Sequence, residues 1–117
     1  MRIAIGSDHR GFQLKTRLIE YLSQQGQQVE DLGTNGQESC DYPDYAKAVA
    51  ESVHHGKADR GILICGTGIG MAIAANKVPG VRAAPVQDEL TAEMSRRQSD
   101  LNVLCLSADM LGQKNIE

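Results

Sequence analysis

The chain of 117 residues is 41% hydrophobic and 23% charged, which predicts a single globular domain over residues 1–117 and excludes a disordered chain. A formal net charge of −3 supplies no basic field for nucleic acid, and no window approaches the ~18 consecutive apolar residues of a membrane span. The three cysteines are odd in number and lack CxxC spacing. This argues against a disulfide framework and a zinc site, and it favours a reducing, cytoplasmic compartment.

The first half of the chain predicts two strand–helix units. Residues 3–6 form a strand, the loop SDHRG follows, and apolar residues recur at helical spacing up to position 25, where Gly26 ends the helix. A shorter strand over 29–32 closes with GTNG. After the loop ESCDYPD, alanine and valine recur at helical spacing over 45–54.

The second half continues this alternation. Residues 61–65 are a short apolar run bounded by glycine, typical of a buried strand, and the MAIAA run at 71–75 predicts a buried helix. The remaining predicted elements are a strand over 81–86, a polar helix over 88–97 that Asp88 can cap, a strand over 103–106 and the start of a helix from 109.

Five strands separated by helices predict an α/β fold, a three-layer αβα sandwich around a five-stranded, parallel, Rossmann-like sheet. In such sheets, ligands bind beyond the carboxyl ends of the strands, where the strand order reverses. This rule places three segments near one another: Ser7-Asp8-His9, residues 65–70 and Gln87-Asp88.

The segment GILICGTGIGMAIAANK (61–77) carries the strongest functional signal. It combines a strand, a turn with alternate glycines, and the start of a helix, where close backbone approach and unpaired N–H groups favour an anion such as phosphate. Cys65 and Thr67 flank this turn with a thiol and a hydroxyl. The spacing is neither the GxGxxG dinucleotide fingerprint nor a P-loop, and a tight strand-to-helix turn without a ligand explains it equally well.

The titratable residues at the predicted strand ends have two interpretations each. Asp8 and His9 can shuttle protons or bind substrate hydroxyls, or Asp8 can cap the first helix while His9 lies in solvent. Cys65 can be a base or a nucleophile, because a helix N-terminus stabilises a thiolate, or it can be a small buried hydrophobe. We interpret Cys105 as such a hydrophobe, and Cys40, in a polar loop, has no predicted role.

Four segments carry a resemblance that spans almost the whole chain. They are IAIGSDHRGFQLK (3–15), DYPDYA (41–46), GILICGTGIGMAIAANK (61–77) and SRRQSDLNVLCLS (95–107). In this order they resemble the ribose-5-phosphate isomerase B family, which also includes the galactose-6-phosphate isomerase subunits.

The resemblance implies an isomerase that moves a proton between C1 and C2 of a sugar phosphate through an enediolate. Cys65 would take the C2 proton, and Thr67 would hydrogen-bond near the reacting oxygens. The anion hole for the enediolate would be the backbone of Gly66, Thr67, Gly68, Ile69 and Gly70. The other substrate contacts would come from Asp8, His9, Tyr42, Gln98 and Ser99. The resemblance also implies no metal, no organic cofactor, and a homodimer whose active site is completed across the interface.

Three features depart from the family pattern. Gln98 and Ser99 stand where the family usually has a histidine, the acid that helps to open the furanose ring, and a substrate-binding asparagine. Glutamine can hydrogen-bond a ring oxygen but cannot titrate. Asp109 stands where an arginine is often found, and the family's C-terminal helix and tail, with phosphate-binding arginines, are expected to be absent from this chain.

These features leave three functional hypotheses. The leading one is interconversion of ribose 5-phosphate and ribulose 5-phosphate, a step of the pentose phosphate pathway. Isomerisation of a hexose 6-phosphate, such as allose or galactose 6-phosphate, stays open because a longer pocket depends on loop packing. A catalytically weak sugar-phosphate-binding paralogue is the third hypothesis, motivated by Gln98 and Ser99.

Overall fold

A computed structural model describes residues 1–36, 42–66, 69–86 and 100–108. Their strands are β1 (Arg2–Ser7), β2 (Gln28–Asp31), β3 (Arg60–Cys65), β4 (Ala83–Pro85) and β5 (Val103–Ser107). Their helices are α1 (Phe12–Gln24), which follows a 3-10 turn at His9–Gly11, α2 (Tyr42–His54) and α3 (Ile69–Ala75). All strand pairs are parallel, in the order β2-β1-β3-β5-β4.

Each face of the sheet carries its own core, because successive side chains of a strand point to opposite faces. The core toward α2 and α3 is formed by buried residues that include Ala4, Val49, Leu63, Met71 and Cys105. The core toward α1 is smaller and is formed by Ile5, Leu18, Ile64 and Leu106. Helices therefore cover both faces, and the predicted three-layer αβα sandwich with a parallel, Rossmann-like sheet is confirmed.

The strand order reverses between β1 and β3. β2 lies on one side of β1, whereas β3 and all later strands lie on the other side. The register sets Ser7 beside Ile64 across β1 and β3, and Cys65 beside Ser107 across β3 and β5. The carboxyl ends of these three strands therefore meet at the edge where ligands bind in sheets of this kind.

Some boundaries differ from the predicted ones for local reasons. α2 begins at Tyr42 rather than at 45, because a proline such as Pro43 is tolerated in the first helical turn. β4 covers only part of the predicted 81–86. The Val81 N–H donates to the Val78 carbonyl and the Arg82 N–H donates to the Asn102 side chain at 2.8 Å, so neither N–H takes part in the hydrogen bonds of the sheet. The helices predicted over 88–97 and from 109 lie outside the described residues. Among the described residues, no helix is long and apolar enough to cross a membrane.

An ion pair between a buried lysine and a partly exposed aspartate connects α1 to the end of β2. Lys15 is 1% exposed, and its Nζ lies 2.7 Å from both carboxylate oxygens of Asp31. Asp31 also accepts the Gly33 N–H at 3.0 Å, and the Gly33 carbonyl accepts the Ser7 N–H at 2.6 Å. These contacts connect α1 to the carboxyl end of β1.

Candidate active site

The carboxyl end of β1 leads into a tight turn that Asp8 caps. The Asp8 carboxylate is buried, and its Oδ1 accepts the backbone N–H groups of Arg10 at 3.0 Å and Gly11 at 3.1 Å. Asp8 is thus a cap, but of the 3-10 turn and not of the first helix as predicted, because the N-cap position of α1 is Gly11. His9, the first residue of that turn, is half-buried. The contact of Asp8 and His9 with substrate stays a prediction.

Gly11 brings this turn into direct contact with β3. The Asp8 N–H donates to the Ile64 carbonyl at 3.2 Å. A Cβ placed on Gly11 would lie 2.7 Å from both the Cγ2 and the carbonyl oxygen of Ile64, so only glycine permits this approach. Because Cys65 follows Ile64, the turn that carries Asp8 and His9 contacts the chain one residue from the predicted base.

Cys65 is the last residue of β3 and is 5% exposed. It belongs to the core between the sheet and the α2–α3 layer, and its carbonyl accepts the Ala108 N–H at 2.8 Å. Cys65 and Cys105, the cysteines of the described ranges, form no disulfide. The Cys65 thiol therefore lies at the carboxyl end of β3, and a backbone hydrogen bond from Ala108, the residue after β5, holds the Cys65 carbonyl.

The second buried thiol, Cys105, stays protonated near neutral pH. Burial raises the pKa of Cys105 to about 12, with a smaller contribution from the charge that Cys65 can carry. A thiol that does not ionise cannot act as a base at neutral pH, which fits the prediction that Cys105 is a small core hydrophobe.

The first residue of the glycine turn, Gly66, contacts the last residue of β5, Ser107. The Gly66 carbonyl accepts a hydrogen bond from the Ser107 hydroxyl, and Ser107 is almost completely buried. Sequence reasoning did not single out Ser107, although the structure places it beside the end of β3. The available signal was its place at the carboxyl end of a parallel strand, the same edge of the sheet that holds Cys65.

Tyr42 contacts the other end of the same turn. α3 begins at Ile69, and the Tyr42 ring lies so close to the backbone of Gly70 that a side chain there would overlap it. Tyr42 keeps 39% of its surface exposed. The DYP motif and the glycine turn, which are distant in sequence, are therefore neighbours.

The predicted site residues fall into three groups. The turn after β1 and the end of β3 bring together Asp8, His9, Cys65 and Gly66. The starts of α2 and α3 bring together Tyr42, Ile69 and Gly70. Thr67, Gly68, Gln98 and Ser99 lie outside the described residues, as do Cys40, Gln87 and Asp88. Over the described ranges, no three His, Cys, Asp or Glu side chains are grouped as ligands for a metal ion.

Comparisons with known proteins agree on one family. A family model described as Ribose/Galactose Isomerase matches residues 3–117. Ribose-5-phosphate isomerase B of Escherichia coli is 46% identical over 111 residues, which are 95% of this chain and 74% of that protein.

Solved structures give the same result. The ribose-5-phosphate isomerase B of Clostridium thermocellum superposes with a TM-score of 0.98 at 50% identity, over 99% of this chain and 78% of that one. The Mycoplasma genitalium enzyme, solved with bound ribulose-5-phosphate, superposes with a TM-score of 0.93 at 45% identity, over 98% of this chain and 77% of that one. The fold, the order of the site residues and these matches lead to one conclusion: the chain belongs to the ribose/galactose isomerase family.

Proposed function

We propose that this chain is an aldose–ketose isomerase that interconverts ribose 5-phosphate and ribulose 5-phosphate. The observation that carries the proposal is the position of the Cys65 thiol, at the carboxyl end of β3 and one residue from the contact with the Asp8 turn. Relatives named ribose-5-phosphate isomerase B, at 46% and 50% identity, support the substrate. So does the relative solved with bound ribulose-5-phosphate.

Cys65 is the proposed base for the proton transfer. In the open-chain aldose, the Cys65 thiolate takes the proton from C2, the C–H electrons form a C1–C2 double bond, and the carbonyl oxygen at C1 becomes the enediolate oxyanion. Return of a proton to C1, with loss of the O2 proton, leaves the ketone at C2. One hydrogen has then moved from C2 to C1 and one from O2 to O1, so that substrate and product are isomers.

The backbone of residues 66–70, together with Thr67, is proposed to stabilise the enediolate. Donors that are fixed before the reaction stabilise a developing charge without reorganising. Both ends of the turn have fixed neighbours, since Ser107 holds the Gly66 carbonyl and Tyr42 lies against Gly70. The proposed substrate contacts are Asp8, His9, Tyr42, Gln98 and Ser99.

A homodimer is proposed as the working state of the enzyme. Ile69 and Ile73, four residues apart on one face of α3, are 51% and 59% exposed, and Tyr42 adds an exposed aromatic ring. A second copy of the chain seated on this face removes the two isoleucines from water and lies next to the glycine turn, where it can complete the site. Ile73→Lys is expected to shift the sedimentation coefficient from dimer to monomer, and an unchanged coefficient contradicts this interface.

The cytoplasm is the proposed compartment. Cys65 can act as a base only while its sulfur is reduced and not in a disulfide, and cytoplasmic glutathione and thioredoxin keep cysteines reduced. The formal charge of −3 gives no general attraction for nucleic acid, so a small phosphorylated sugar is the proposed partner.

A substrate panel tests the function. Ribose 5-phosphate, allose 6-phosphate and galactose 6-phosphate are assayed in a coupled isomerase assay, and the ketose products are followed by NMR in D2O. We expect kcat/KM to be highest for ribose 5-phosphate, with deuterium incorporated at the carbon that receives the proton. A higher value for a hexose phosphate assigns the alternative substrate, and binding without incorporation of deuterium assigns a binding protein.

A further inference from the structure

We infer that Ser107 is a positioning residue for the isomerisation, acting through the Gly66 carbonyl on the turn that follows Cys65. The inference rests on the proposed function, because it concerns the geometry of the proposed anion hole. Ser107 is not placed in contact with substrate.

The contact lies where the sheet ends. Ser107 is the last residue of β5 and the direct neighbour of Cys65 in the register of β3 and β5. It is 1% exposed, and its hydroxyl donates to the carbonyl of Gly66, the first residue after β3. The Ala108 N–H donates to the carbonyl of Cys65 at 2.8 Å. Two successive carbonyls, those of Cys65 and Gly66, are thus held by the end of one neighbouring strand.

The second of these bonds comes from a side chain and not from the backbone ladder. Glycine has the widest choice of backbone dihedral angles, so the direction of the Gly66 carbonyl is not restricted by its own residue. A peptide unit is planar, with its N–H opposite its C=O, so a bond that fixes the Gly66 carbonyl fixes the whole unit that leaves Gly66. The Ser107 hydroxyl therefore sets the direction in which the chain enters the proposed anion hole.

Other buried serines in the described part of the chain differ from Ser107. Within that part, the buried hydroxyls of Ser7 and Ser52 have no hydrogen-bond partner. Ser52 lies in α2, and its carbonyl accepts N–H groups from Lys57 and Ala58, away from the carboxyl ends of the strands. Ser52→Ala removes a buried hydroxyl of the same size without removing a hydrogen bond, and it is the matched control for Ser107→Ala.

Kinetics separate positioning from general stability. A displaced donor weakens binding of the enediolate more than binding of the sugar phosphate, so Ser107→Ala is expected to lower kcat about 10- to 100-fold while KM for ribulose 5-phosphate changes less than about threefold. Ser107→Thr keeps the hydroxyl, and β-branched side chains suit strands, so this variant is expected to retain most of kcat. Ser52→Ala is expected to have the kcat of the unaltered chain.

A carbonyl NMR signal reports the bond without any activity. Labelling with 13C at glycine carbonyls and 15N at threonine selects the Gly–Thr pairs of the sequence, which are Gly33-Thr34 and Gly66-Thr67. Ser107→Ala is expected to move the Gly66 carbonyl signal, whereas Ser107→Thr and Ser52→Ala leave it in place. The Gly33 signal is the internal reference in every sample.

The outcomes distinguish the two proposals. If the unaltered chain isomerises none of the sugar phosphates, the proposed function fails while the carbonyl signal still tests the bond. If the unaltered chain is active, a Ser107→Ala kcat equal to that of Ser52→Ala overturns the positioning role. A Gly66 signal that does not move in Ser107→Ala, or a folded Ser107→Thr variant as slow as Ser107→Ala, also overturns it.

Discussion

The ring of Tyr42 lies against the backbone of Gly70, so that a Cβ on Gly70 would be 2.6 Å from Tyr42 Cε1 and 3.0 Å from the Tyr42 hydroxyl oxygen. Real Cβ atoms do not approach other atoms this closely, so Gly70→Ala must displace either the ring or α3. The contacting atoms are the far end of a side chain that is 39% exposed and can yield, so we expect the free energy of unfolding to fall by about 1 kcal/mol, at the lower end of the cost of overpacking, measured by urea denaturation.

A double-mutant cycle identifies the ring as the cause. With Tyr42→Ala as background, the space is empty, and alanine is a better helix former than glycine by about 1 kcal/mol. Gly70→Ala is therefore expected to raise the free energy of unfolding in that background, the opposite sign to its effect beside tyrosine. Equal losses in both backgrounds contradict the contact.

Removal of the proposed base is expected to stop proton transfer but not binding. Cys65→Ala should lower exchange of the C2 proton in D2O by at least ~10²–10⁴-fold, the usual contribution of general base catalysis, while the Kd for ribulose 5-phosphate stays within a few fold. Cys105→Ala removes the neighbouring buried thiol and is the control, with exchange retained. If Cys65→Ala exchanges the label at the rate of the unaltered chain, the base is another group.

The Lys15–Asp31 pair is expected to respond asymmetrically to the loss of each partner. The Lys15 side chain is 1% exposed, whereas that of Asp31 is 38% exposed. Asp31→Asn leaves a buried ammonium without its counter-charge and is expected to cost about 3 kcal/mol of unfolding free energy. Lys15→Met leaves a carboxylate that water still reaches, and it is expected to cost about 1 kcal/mol or less.

Urea unfolding of the two variants measures this difference, with Lys47→Met as the control. Lys47 is 70% exposed and lies 3.9 Å from Glu51, so its loss is expected to change stability by less than about 0.5 kcal/mol. A cost of Lys15→Met that equals or exceeds that of Asp31→Asn contradicts the asymmetry.

The raised pKa of Cys105 is expected to make the free energy of unfolding fall as the pH becomes alkaline. Its pKa rises from 9.0 to about 12 on folding, so the folded state keeps a proton that the unfolded state releases between these values. The contribution is complete below the unfolded value and is lost as pH rises toward the folded value. The free energy of unfolding therefore falls with a slope of at most about 1.4 kcal/mol per pH unit from this thiol.

Comparison with Cys105→Ala isolates this slope from the other groups that titrate in the same range. Urea unfolding of both proteins at about pH 8, 9.5 and 11 is expected to show that the stability advantage of the unaltered chain shrinks as pH rises. A constant difference between the two proteins shows that Cys105 ionises equally in the folded and unfolded states.

Because Gln98 stands where the family usually has a histidine acid, we expect the aldose ring to open slowly. Since glutamine cannot donate a titrating proton, Gln98→His is expected to speed the ring-opening phase of furanose substrate in pre-steady-state kinetics by about 10²-fold or more. Gln98→Asn, which also cannot titrate, is the control and is expected to keep the slow phase. The same opening phase in the unaltered chain and Gln98→His assigns the proton to another group, with His9 as the first candidate.

The sequence by itself predicted the strands and helices of the described residues and which residue types lie at the ends of the strands. A short apolar run such as 61–65, between helical segments, is buried on both faces as a strand of a parallel sheet, and the apolar faces of the helices supply the outer layers. Because the carboxyl ends of parallel strands lie at one edge of the sheet, the proximity of the Asp8 turn to Cys65 can be predicted without the strand order. The capping of the 3-10 turn by Asp8 was likewise within reach, since a cap depends on neighbours in sequence.

Only the tertiary structure decided which side chain meets which backbone. On the side of β3 that faces away from β1, the neighbouring strand is β5 and not β4, and this order brings the Ser107 hydroxyl to the Gly66 carbonyl across 41 residues of chain. Gly11 lies against Ile64 and Gly70 lies against Tyr42, and in both places the close contact favours glycine. Neither contact partner can be identified from the residues next to the glycine in the sequence. Local periodicity reflects burial of one segment at a time, whereas strand order and register are selected by the packing free energy of the whole sheet with its helices.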